Sequence, residues 1–121
     1  MIKKTYRKLN EFEVQVLQKL LECPFPGRDE LRQQIKNCKV RTLTEYKDNY
    51  GSIEFEDVLG EEAIVKERVP VEGRTKDGGG GPILILLHII KGKIDELEFV
   101  RMDGAPMQGS PNIDTMEVII R

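Results

Sequence analysis

The stretch Pro82-Ile83-Leu84-Ile85-Leu86-Leu87-His88-Ile89-Ile90 constrains this chain more than any other. A strand with one wet face alternates apolar and polar residues, whereas a strand covered on both faces reads as an unbroken apolar run. The run is short for a buried helix, and isoleucines at 83, 85, 89 and 90 favour a strand. Four glycines, Gly78 to Gly81, stop whatever precedes it, and Lys91-Gly92 stops it on the far side. Such a segment is expected in the interior of a sheet, with neighbours on both edges and cover on both faces.

The cover comes from the N-terminal third. Asn10 and Glu13 stand at N-cap and N3 spacing, with Leu9 and Val14 placed for a hydrophobic staple. Phe12, Val16, Leu17, Leu20 and Leu21 share one face, which predicts an amphipathic helix ended by Pro24 and Pro26. Gly27 opens a second, shorter helix reaching about Asn37; only Leu31 and Ile35 are apolar on it, so a narrow surface contact is expected. From Cys38 the period falls to two. Residues 38–46 and 53–56 read as strands about a turn at 47–51, and Ala63, Val65, Val69 and Val71 read as a further strand, in which Pro70 implies an edge or a bulge. Residues 73–81 read as a mobile polar hairpin loop. Lys91-Gly92 suits a tight hairpin, although lysine is not the favoured residue there. Residues 94–101 and 116–120 supply the last strands.

Helices segregated before strands give an α+β fold: two N-terminal helices packed on a five- or six-stranded, mainly antiparallel sheet. The chain is read as one domain over 1–121, with residues 1–8 a loose basic tail. The sheet face away from the helices needs curvature, a second layer or a partner chain.

Composition removes several function classes. The 121 residues carry a net charge of −2 with 33% charged side chains, which offers no general attraction for nucleic acid. The one dense basic cluster is Lys3, Lys4, Arg7 and Lys8, expected to be a solvated tail. No apolar segment approaches the ~20 residues of a membrane span, and the first thirty residues lack the order of a signal peptide. The expectation is a cytoplasmic protein with reduced Cys23 and Cys38. Their spacing relative to the sole histidine, His88, makes no structural zinc site, and no metal or cofactor is expected.

His88 carries any imidazole chemistry. Across the expected hairpin, Glu96 or Glu98 would orient it as a base, with Arg68 and Arg101 as candidate anion holders. No serine or cysteine nucleophile can be set beside it from spacing, so a structural histidine is the cheaper reading. Glu67, Glu72, Asp77, Asp95 and Asp103 extend a loose acidic set, explained by solvated strands and loops. Gly78 to Gly81 lead into a strand with no Gly-Lys-Ser/Thr following, which argues against a phosphate loop.

Phe25-Pro26-Gly27-Arg28-Asp29-Glu30-Leu31, Arg68-Val69-Pro70-Val71-Glu72, Asp77 with Gly81-Pro82-Ile83 and Leu86-Leu87-His88, and Glu96-Leu97-Glu98 with Arg101 and Asp103-Gly104 together resemble the recurring blocks of a family. It is a family of short bacterial proteins of unknown function. The likeness runs from Leu9 to Gly104 and implies no catalytic residue. In size and acidity such proteins are similar in type to toxin-immunity proteins. The expected function is therefore a non-catalytic protein-binding module, immunity-like or part of a homo-oligomer. The alternative is a small hydrolase or ligand-binding enzyme using His88 with Glu96 or Glu98.

Overall fold

Lys91 and Gly92 both take positive φ, 50° and 76°, the geometry of a two-residue hairpin turn that matches strand twist. This turn joins β5 (Pro82–Ile90) to β6 (Lys93–Arg101), pairing Ile83 with Arg101, Ile85 with Phe99, Leu87 with Leu97 and His88 with Glu96. The computed structural model describes residues 5–46, 48 and 50–121. Lys3 and Lys4 of the basic cluster, and Lys47 and Asn49 of the expected turn, lie outside the described residues.

Around the central hairpin stand β1 (Arg7–Lys8), β2 (Lys39–Tyr46), β3 (Tyr50–Phe55), β4 (Val71–Lys76) and β7 (Glu117–Ile120). The sheet has seven strands in the order β1-β2-β3-β6-β5-β4-β7, every pair antiparallel. The expected α+β class and the interior place of β5 hold. The strand count rises to seven, because Arg7 and Lys8 form a strand ahead of the helices.

Helix α1 (Glu11–Leu20) starts where the sequence places it. The Asn10 side chain accepts from Glu13 N and the Glu13 side chain accepts from Asn10 N, a complete capping box. Glu13 is 2% exposed because both guanidinium nitrogens of Arg7 also donate to it, each at 2.8 Å. That fork draws Arg7 and Lys8 into an edge strand beside Val40 and Lys39, so the tail expected over 1–8 is corrected at these two residues. Asn10→Ala is expected to lower stability by about 1 kcal/mol in urea unfolding.

Val16, Leu17, Leu20 and Leu21 of the α1 region, with Leu31 of α2 (Arg28–Gln34), pack in one core with Ile83, Ile85 and Leu87. Helix α2 is more than a surface contact. Gln34, 3% exposed, donates to Glu61 O and Gly92 O and accepts from Ile94 N, knotting the helix to the β5–β6 turn. Hydrophobicity counting misses an amide that contributes by hydrogen bonding.

The strand expected over residues 63–71 lies further on. Proline has no N–H to give a ladder, so Pro70 precedes β4 and strand pairing begins at Val71. Residues 73–76, expected in a mobile loop, are paired with β5, and Gly73 and Arg74 are paired with β7 as well. Gly73 permits this, because a Cβ there would stand 2.5 Å from Met116 Sδ.

Candidate functional site

Odd residues of β5 (Ile83, Ile85, Leu87 and Ile89) face the helices and are at most 4% exposed. Leu84, Leu86 and His88 point to the opposite, helix-free face and are half-buried. On that face the hairpin register sets His88 directly across from Glu96 and sets Glu98 across from Leu86, one position along the same face. Next to this pair the register shifts: His88 pairs with Glu96 and Ile89 with Ile94, so Asp95 of β6 is the extra, unpaired residue. His88 Nε2 lies 2.8 Å from Glu98 Oε1, and Arg68 Nε donates to His88 Nδ1 at 3.3 Å. Because Nδ1 accepts from arginine, the ring proton sits on Nε2 and is donated to Glu98. Burial first, then repulsion by Glu98, raises the Glu96 carboxyl above its ordinary value, against the opposing pull of His88 and Arg68. The three sequence-nominated groups and Arg68 are thus brought together.

Arg101 is not among them. It pairs with Ile83 at the far end of the hairpin and donates to Asp77 Oδ2 at 2.9 Å and to Pro106 O at 2.7 Å, with Asp103 also beside it. Asp77 has its side chain fully buried, and its carboxylate accepts from Gly79 N, Gly81 N and Gln108 N. Burial pushes the Asp77 carboxyl up, but these N–H donors and the Arg101 guanidinium outweigh it and hold its pKa below the ordinary value. The glycine-rich loop, expected to be mobile, is therefore a carboxylate cradle. Gly78 and Gly79 give the room, since a Cβ on either would press on Gln108.

Glu72 is also fully buried, on the helix-free face across from Leu86, and accepts from Arg74 and Arg121. Candidate nucleophiles are held protonated. Burial pushes the Cys38 thiol up to about 11, and burial followed by the Asp77 charge pushes the Tyr50 phenol up to about 12. Cys38 and the exposed Cys23 are free thiols.

The sequence gives no warning of a second feature. Leu59 and Ile64 are 89% and 87% exposed on the irregular segment 56–70. The segment is pinned: Ala63 N donates to Gly92 O at 2.8 Å, Gln34 holds Glu61 O, and Lys93 Nζ reaches Val58 O and Gly60 O. Gly92 has no Cβ, which lets Ala63 come this close. With Ala63 buried and the backbone tied on both sides, Leu59 and Ile64 are held in water. Exposed Glu56, Asp57, Glu61 and Glu62 surround them. Leu59 and Ile64 adjoin Val58, Ala63 and Val65, and Ile64 lies off the parity of the strand expected there, so nothing in the sequence sets the two apart.

Beside this loop a groove of about 730 Å³ runs between the two helices and the start of β2. Half-buried Leu9, Val14, Ile35 and Cys38 line it, exposed Lys8, Arg32, Lys36 and Lys39 edge it, and no carboxylate is among its described lining residues. A smaller cleft, lined by Cys38 and Lys39 together with Asp57, Val58 and Leu59, joins groove to loop.

A family model described as Domain of unknown function (DUF6984) matches residues 6–111. No curated protein and no solved structure matches the chain.

Proposed function

This chain belongs to the family defined by that domain of unknown function, and from its geometry we propose a non-catalytic protein-binding module whose docking element is the acidic loop carrying Leu59 and Ile64. The single observation behind this reading is the pair of aliphatic side chains fixed in solvent by a hydrogen-bonded backbone. Large apolar side chains on a rigid support are the anchors of interfaces, because little ordering remains to be done on binding. Their acidic surround selects a partner surface that is apolar with a basic rim.

A second copy of this chain offers that surface. Its groove is apolar inside and edged by four cationic residues, and groove and loop lie side by side on one molecule. Adjacent complementary patches suit a two-fold pair in which each loop enters the other's groove, the commonest closed symmetry. Sedimentation equilibrium is expected to show mass rising from 13.9 kDa toward twice that value with concentration, less so in high salt. Leu59→Ser with Ile64→Ser is expected to weaken association about tenfold or more with unchanged circular dichroism. A wild-type protein that stays at 13.9 kDa to several hundred micromolar rules out the second copy. The docking element is refuted if, in addition, no protein captured from the native host depends on those two residues.

A further inference from the structure

We propose that His88, Glu96 and Glu98 form a site for a divalent transition-metal ion and that Arg68, bonded to His88 Nδ1, opposes the ring tautomer that the metal needs. The donors lie on the helix-free face outside the docking loop, and Arg68 reaches them from the C-terminal end of that same irregular segment. One nitrogen and two carboxylate donors lie within 4.8 Å of one another. Ligands bound about 2.1 Å from one ion stand at most about 4.2 Å apart, so closure by about 0.6 Å assembles the set. Nε2 and Glu98 Oε1, 2.8 Å apart, already stand as adjacent ligands would.

The donors come from neighbouring strands of the most heavily paired hairpin in the sheet, a firmer support than a loop. No helix covers this face, so water can complete the coordination. An imidazole with two carboxylates suits zinc, cobalt or manganese better than calcium or magnesium, which take oxygen donors.

Arg68 decides how the site loads. Its Nε donates to Nδ1, which leaves the ring proton on Nε2, the atom a metal would take. Metal binding requires that proton to move to Nδ1, where it meets the Arg68 N–H. Arg68, exposed on the irregular segment before β4, must then swing away. The guanidinium is a built-in competitor.

The test titrates Co²⁺, Zn²⁺ and Mn²⁺ into the full chain carrying Cys23→Ser, so that the exposed thiol takes no part. Calorimetry and the His88 ring signals in NMR follow binding. One ion per chain is expected with a Kd below about 1 mM, with shifts centred on His88. Glu96→Gln and Glu98→Gln are each expected to weaken binding about tenfold or more. Arg68→Gln is expected to tighten it, a gain that damaged folding cannot produce. Binding that survives His88→Gln, or its absence at millimolar metal, overturns the site. Unchanged or weaker binding in Arg68→Gln overturns the competitor role.

Discussion

Asp77→Ala is expected to lower Tm by roughly 10 °C or more, the largest loss among the polar substitutions considered. Oδ1 accepts from Gly79 N and Gly81 N, and Oδ2 accepts from Gln108 N and Arg101 Nη1. Deleting the carboxylate orphans Gly81 N and Gln108 N, leaves Gly79 N only its bond to Gln108 O, and leaves Arg101, 12% exposed, with Asp103 as its remaining carboxylate. Asp77→Asn is little better, because either amide orientation sets an NH₂ against two donors. The same cradle can be broken from the other side: a Cβ at Gly81 would stand 1.9 Å from the Arg101 guanidinium carbon, so Gly81→Ala pushes arginine off aspartate. Because the folded-state pKa of Asp77 is depressed, its contribution is present above the ordinary carboxylate range and is lost as pH falls through the folded value. Thermal unfolding from pH 7 to pH 2 checks this. Wild type should lose stability steeply below about pH 4, and Asp77→Asn, weaker at pH 7, should lose less over that range. Parallel curves would refute the assignment.

Glu72 is the instructive contrast. It is as deeply buried as Asp77, yet it accepts from the side chains of Arg74 and Arg121, each about half exposed. Water can satisfy those arginines when the carboxylate is gone, whereas it reaches the cradle of Asp77 poorly. What a buried carboxylate does depends on whether it holds backbone or side chains, and sequence spacing does not distinguish the two.

The same limit explains which parts of the fold were legible beforehand. Periodicity and caps located α1, β5, β6 and their hairpin, because those signals are written within a dozen neighbouring residues. His88, Glu96 and Glu98 were nominated for the same reason: a two-residue turn fixes register, and register fixes which side chains meet. Arg101 was misjoined because its partner Asp77 lies twenty-four positions away across a loop. Gln34 and Gly73 were not singled out for a related reason, since each matters through a group distant in the chain. Leu59 and Ile64 ask the opposite question. Their meaning is that nothing among the described residues covers them, and only a three-dimensional structure can say so.

Leu87→Ala and Leu86→Ala, neighbours on β5, are expected to differ sharply. A run of consecutive apolar residues predicts equal burial on both faces and therefore similar losses. The structure instead gives Leu87 no exposure, packed with Leu97 across the hairpin and the helical core behind it. Truncating it leaves a cavity that close packing cannot refill, at a cost of about 2–5 kcal/mol. Leu86 faces away from the helices between Glu72 and Glu98, with Arg74 standing across from Leu84. Long arginine stems shield that face while their charged ends stay wet, so truncation there exposes little new cavity and should cost roughly half as much. Urea midpoints at unchanged m-value report the difference directly. Equal losses would mean that something as dense as the helical layer covers Leu86 in solution, and the helix-free face would then be an interface.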